Sequence, residues 1–307
     1  MWLLMAFVSA ALLGLYDVSK KTALEDNAVL PVLLLNTVFS TLIFSPFIIS
    51  GITGSGWFAG SALDPAPYAG QQEASTLLHA HALVIIKSVI VLSSWIFGYF
   101  GLKHLPITIV GPINATRPVM VLVGAMLIFG ERLNWCQWVG VILSIISLFL
   151  LSRSSKKESV DFTHNKWIFF VAAAAVIGAV SGLYDKYIMG ELSPMFVQGW
   201  YNFYQMILMG IVIAILWYPH RKKTTPFHWS WAIPFISVFI SAADFAYLTA
   251  LNQEDSMISV VSLIRRGSVI VSFICGVLIF HERNLKAKAL DLGLILVGMV
   301  FIWLGSN

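Results

Sequence analysis

Ile128-Phe129-Gly130-Glu131-Arg132 ends one long apolar run of this chain, and Ile279-Phe280-His281-Glu282-Arg283 ends another. Position 128 against 279 gives an offset of 151 residues. A second pair follows the same order. Gly14-Leu15-Tyr16-Asp17 recurs as Gly182-Leu183-Tyr184-Asp185, at an offset of 168. The offsets differ by 17 residues, which fits extra length inside the first half. Two matches in one order at corresponding places make the chain read as two related halves.

Working outward from those stretches, the apolar runs predict ten spans: 2–22, 30–50, 82–102, 106–130, 134–152, 167–189, 195–218, 231–251, 257–280 and 287–305. A helix and a short turn take roughly 30 residues in a bilayer, so 307 residues hold about ten. Composition agrees. Hydrophobic residues make up 58% and charged residues 11%, with mean hydropathy +0.84. Soluble domains carry roughly 25% charged residues. Long unbroken apolar runs exclude an outer-membrane barrel, whose strands alternate over about ten residues. The expected fold is therefore an all-α polytopic membrane protein.

Gly51 to His81, rich in Gly, Ala and Pro, reads as a surface loop with one short helix. Residues 153–166 form a polar linker between a first five-helix repeat, 1–152, and a second, 167–307. Five spans is an odd number, so the halves point opposite ways. That is the inverted repeat of many secondary transporters, with binding near the midplane. The N-terminus lacks a basic region and reads as the first span.

Orientation follows from basic residues. The turns after spans one, three, five, seven and nine hold thirteen Lys and Arg; the other side holds Lys87, Arg132 and Lys186. The first side is expected to be cytoplasmic, which puts both termini outside a cell (inner) membrane.

Three arginines lie within these spans: Arg117 in the fourth, about twelve residues in, and Arg265 and Arg266 in the ninth. A guanidinium stays charged at any accessible pH. At the bilayer centre it costs roughly 2.5–3.5 kcal/mol by insertion scales. Adjacent helix positions diverge by ~100°, so one of the pair faces a cavity and the other a flank. The planar fork suits phosphate or carboxylate. The competing reading is a set of internal ion pairs, for which Asp244 is the leading counter-ion.

Other polar residues carry two readings each. Asn114, one turn before Arg117, either binds substrate or satisfies backbone near Pro112 and Pro118. Tyr16-Asp17 and Tyr184-Asp185 are either gates at the two mouths or polar helix ends. Asp17 reaches Lys20 or Lys21 along one face. Glu131 and Glu282 read as charged helix-end anchors. Tyr201, Asn202, Tyr204 and Gln205 form either a sugar or ring platform or core packing. No metal is expected from the scattered histidines or from Cys136 and Cys275. No nucleophile–base set and no phosphate-loop motif appears, so neither an enzyme nor an ATP-driven pump is expected, and no cofactor. Net charge of +4 sits in membrane-flanking loops and does not point to nucleic acid.

These residues resemble the drug/metabolite transporter superfamily with two EamA-type repeats, across nearly the whole chain. The resemblance rests on ten short spans, the glycine-bearing first span ending in Lys20-Lys21, and the Phe-Gly-Glu and Phe-His-Glu endings. Ser262-Leu263-Ile264-Arg265-Arg266-Gly267-Ser268-Val269-Ile270-Val271-Ser272 further resembles the ninth helix of the sugar-phosphate/phosphate translocators. There a Lys-Arg pair, with a lysine in the fourth helix, grips phosphate; Arg265, Arg266 and Arg117 fall at the matching places. The resemblance implies phosphate recognition. With the arginines and the inverted repeat, the expectation is a small phosphorylated or carboxylated metabolite moved by alternating access. Exchange is favoured because an anion must neutralise a bare cationic site before it changes state. A neutral-sugar carrier with internally paired arginines and a lipid-phosphate flippase are the alternatives. A cationic-drug exporter is disfavoured, since three arginines would repel its cargo. One ten-span chain holds both halves of a site, so a monomer in the lipid bilayer suffices and a dimer is compatible.

Overall fold

The computed structural model of the protein describes residues 1–24, 27–61, 63–66, 74–104, 113–114, 116–153, 166–223, 225–268, 270–271, 274–275 and 285–305. Among them, ten principal helices follow one another with no strand. They are α1 (Trp2–Leu24), α2 (Val29–Thr53), α3 (Ala74–His104), α4 (Arg117–Ile128) and α5 (Trp135–Arg153), then α6 (Lys166–Met189), α7 (Pro194–Val212), α8 (Ala232–Leu251), α9 (Ile258–Arg266) and α10 (Leu285–Gly305). Six segments are long and apolar enough to cross a bilayer: Trp2–Leu24, Val29–Thr53, Thr76–Gly98, Lys166–Met189, Pro194–Arg221 and Ala232–Leu251. The shorter apolar helices are Arg117–Ile128, Trp135–Ser147 and Leu296–Gly305. The chain is an all-α polytopic membrane protein.

In a bilayer every backbone polar group must find its partner within the protein. Several local devices meet that demand. Pro46 lies inside α2 and has no N–H to offer the Leu42 carbonyl. The Ser45 hydroxyl donates to that carbonyl instead, at 2.8 Å. Ser193 caps α7 by accepting from Phe196 N–H, with Pro194 following at the first helical turn. Its hydroxyl also donates to the Ala66 carbonyl at 2.6 Å and ties down the loop that follows α2. Asn134 and Gln137 exchange reciprocal side-chain-to-backbone bonds of 2.9 and 3.0 Å at the start of α5, a capping box.

The described residues divide into two compact units. One comprises Met1–Leu92 and Lys186–Glu254; the other comprises Ser93–Asp185 and Asp255–Asn307. Each unit thus draws on both halves of the sequence.

In the first unit α1 lies along α8, and α2 packs on α7 and α8. Ser9 donates across to the Ala243 carbonyl at 2.7 Å, between small buried residues that let backbones approach. Ser237 bonds Asn36 in the same way, linking α8 to α2. In the second unit α5 lies along α10, while α9 packs against α4 and α5. The α5–α10 crossing needs glycine. A Cβ on Gly298 would stand 2.9 Å from the Gly140 carbonyl oxygen.

Three sequence expectations change. The third helix begins at Ala74, eight residues before the predicted 82, so the expected 51–81 loop is shorter. Ala80 is fully buried and His81 hydrogen-bonds within the bundle, so polar residues that read as loop belong to a helix. Beyond Val212, α7 continues as a π turn, Ile213–Trp217, and a 3-10 turn, Tyr218–Lys223. Spans four and nine are also not single regular helices.

Candidate functional site

A turn at Thr116 precedes α4, which makes Arg117 the first residue of that helix and not the middle of a continuous one. Pro118 supplies the reason: it has no N–H for the Asn114 carbonyl, and its ring crowds that carbonyl. Thr116 N–H bonds back three residues to the Ile113 carbonyl at 3.1 Å, and its hydroxyl donates to the same oxygen at 2.6 Å. The 151-residue offset carries Ile113 and Thr116 onto Ile264 and Gly267. There the Gly267 N–H bonds the Ile264 carbonyl at 2.9 Å, again three residues back. Both helices therefore tighten at equivalent points, beside the arginines.

Arg117 is half-buried. Its Nη2 donates to the Ala174 carbonyl of α6 at 3.1 Å and lies 3.5 Å from Ser94 Oγ of α3. Ser94 itself donates to Ala174 O at 2.9 Å. The guanidinium rests on bare backbone, because a Cβ at Gly178 would overlap it. Its Nε makes no hydrogen bond. Among the described residues no carboxylate is bonded to Arg117; both oxygens that meet it are neutral.

Arg265 and Arg266 are the last two residues of α9 and are half-buried. Both are engaged with other groups. Asp244, the leading counter-ion from sequence, is a half-buried residue of the first unit and is also engaged. Asn114 is exposed, just before the Thr116 turn.

The repeated Tyr-Asp pairs separate. Tyr16, Asp17 and Lys20 belong to the first unit, Tyr184 and Asp185 to the second. Lys20 Nζ stands 5.5 Å from the Tyr16 ring centroid, within cation–π range. Tyr16 also packs on a core of Ala23, Val32, Ile233 and Ile236. Asp185 is buried and Asp17 half-buried. Glu282, His281 and the side chain of Lys21 lie outside the described residues.

The span-seven cluster lies in α7, in the first unit, with α3 partners. Tyr204 hydroxyl meets His81 Nδ1 at 3.0 Å, and Gln205 Nε2 donates to the Ser88 carbonyl at 2.8 Å. Asn202 Nδ2 bonds within α7 to the Gln198 carbonyl. Tyr201 carries Lys87 Nζ 4.8 Å from its ring centroid. Lys87 is 5% exposed, a buried cation that the sequence reading placed near a membrane face. Its setting among Val84, Ile85, Ile86, Val89 and Ile90 was a signal for depth; the misjudged start of α3 hid it.

The first unit also holds a cavity of about 680 Å³ where α2, the 54–66 loop, α3 and α7 meet. Phe47, Asp64, His81, Phe196 and Trp200 line it, and none of the residues singled out from sequence as site residues does.

Glu131 does more than anchor a helix end. Gly130, at φ +64°, reverses the chain so that Glu131 N–H returns to the Ala125 carbonyl at 3.3 Å. The carboxylate then takes the start of α9, accepting from Ile258 N–H at 2.6 Å, from Ser259 N–H at 3.2 Å and from the Ser259 hydroxyl. Contacts 127 and 128 residues apart leave no local trace in sequence.

The EamA-like transporter family matches residues 1–153 and 165–304. The chain belongs to the EamA-like transporter family. Members of this family are membrane transporters of small solutes, so this EamA-like protein is one too, as the superfamily resemblance implied. No curated protein matches it. One solved structure, titled "Crystal structure of protein", is similar over 99% of this chain and 96% of its own, at 16% identity and a TM-score of 0.72. That likeness shows a shared fold and says nothing of cargo.

Proposed function

We propose that the protein is a secondary transporter that moves a small phosphorylated or carboxylated metabolite by alternating access. The observation that carries this is Arg117, whose guanidinium meets only the Ala174 carbonyl and Ser94 hydroxyl among the described residues. Desolvation disfavours a half-buried charge whose partners are neutral oxygens. An anionic guest lowers that cost, and Arg265 and Arg266 on the adjoining α9 supply further donors. A bare cationic site resists the change between outward- and inward-open states. Occupancy by an anion permits it, which favours exchange. In this reading repeats 1–152 and 167–307 are inverted, both termini are extracytoplasmic in the cell (inner) membrane, and one chain suffices.

One observation favours a second reading, a neutral-sugar carrier. Arg265 and Arg266 already engage other groups, so they serve structure if those groups neutralise them. Uptake into proteoliposomes separates the two. Arg265→Ala and Arg266→Ala abolish uptake of an anionic substrate in the first reading. Retained uptake by both variants rejects it.

A further inference from the structure

We propose that Glu131 is a positioning residue for the arginine pair. It fixes the first turn of α9 to the end of α4, and so sets where Arg265 and Arg266 present their guanidinium groups. This rests on the reading of those arginines as cargo ligands.

The argument begins with the orphaned donors of α9. A helix leaves its first N–H groups without internal partners. Met257, at the N-cap position, makes no side-chain capping bond to them. Water normally takes such donors, but Ser259 is fully buried and Ile258 likewise. Glu131 fills both vacancies with one carboxylate and adds a bond from the Ser259 hydroxyl. Negative charge at this end also suits the helix dipole.

Glu131 is itself held. The left-handed turn at Gly130 and the bond to Ala125 fix its backbone to α4. The side chain therefore bridges two helices, and its own position is not free to drift.

Alpha-9 spans only nine residues, about 13 Å at the usual rise. Its far end carries Arg265 and Arg266, then Gly267, where a Cβ would collide with the Met299 side chain. Ile258, Val260, Val261, Leu263 and Ile264 are buried along its length. So short a packed rod moves as a body. A shift or tilt at the Glu131 end is passed to the arginines, which cannot be repositioned independently.

The test uses full-length protein with Cys136→Ser and Cys275→Ala, since both cysteines are free. Arg266→Cys is then labelled with a charged methanethiosulfonate reagent, with and without Glu131→Gln. Ser259→Ala is the second perturbation, made from the α9 side and milder for folding. Both are expected to change the labelling rate about fivefold or more, with little added effect when combined, as coupled groups behave. In the cysteine-intact protein, Glu131→Gln is expected to raise the apparent Kd for inorganic phosphate, read by thermal shift, about tenfold, the size of one charge-assisted bond. Unchanged labelling in both variants overturns the proposal whatever the cargo. Changed labelling with unchanged phosphate affinity overturns its role at the site. Loss of the phosphate response in Arg265→Ala, but not in Glu131→Gln, overturns it while leaving the anion reading intact. A phosphate response indifferent to Arg265→Ala and Arg266→Ala counts against the anion reading instead.

Discussion

The guanidinium of Arg117 lies against the backbone of Gly178, so closely that a methyl group on Gly178 would occupy the same space. The contact joins the first residue of α4 to the middle of α6. It explains how a wide, planar cation is accommodated between helices: the neighbouring helix has no side chain there. It also leaves the Ala174 carbonyl, one turn earlier, open to accept from Nη2.

Gly178→Ala therefore displaces Arg117 and breaks the bond to Ala174. The expected outcome is a folded protein with apparent affinity for an anionic ligand weakened about tenfold. Gly210→Ala is the control, because nothing stands within 4 Å of a Cβ there. Thermal-shift titrations of the two variants make the comparison. Equal affinities would show that the Gly178 contact does not matter to the site.

Asn27 predicts a different outcome, on stability. It is 7% exposed and uses both ends of its amide. Nδ2 donates to the Ala23 and His228 carbonyls at 3.1 and 2.6 Å, and Oδ1 accepts from Ala28 and His228 N–H at 2.8 and 2.9 Å. Asn27→Ala strands these groups at the α1–α2 turn and is expected to cost about 2–4 kcal/mol, a few net bonds. A melting temperature within a degree of the parent would refute the assignment.

Ser45 and Pro46 are coupled in α2. Ser45→Ala removes the hydroxyl that satisfies the Leu42 carbonyl and is expected to cost about 1 kcal/mol. Adding Pro46→Ala restores the missing backbone N–H, so the double variant should recover stability. Detergent-solution melting of the single and double variants checks the sign. A double variant weaker than Ser45→Ala would mean that the proline is not the cause.

Much of this was legible in the chain. Among the described residues each of the ten principal helices falls within or across an apolar run, and six lie in segments long and apolar enough to cross a bilayer. The Phe-Gly-Glu ending marked a helix stop, and Gly130 proves to hold the left-handed turn there. Run length could not show that spans four and nine tighten at Thr116 and Gly267. A proline or glycine turn interrupts the backbone without interrupting hydropathy. Composition misled in the other direction. Gly51 to His81, rich in Gly, Ala and Pro, read as loop, yet α3 begins at Ala74 and His81 meets Tyr204 inside the first unit. The role of Glu131 was invisible for a third reason: its partners are long-range, and nothing in Met257-Ile258-Ser259 announces which acid will cap them.

The most direct test of the central claim is exchange measured in proteoliposomes loaded with a phosphorylated or carboxylated counter-substrate, comparing the parent with Arg117→Gln, Arg265→Ala and Arg266→Ala. The account predicts rapid anion exchange in the parent and its loss in each arginine variant, with the purified variants still folded. Undiminished anion exchange in all three, or transport of a neutral sugar that ignores the substitutions, would contradict it.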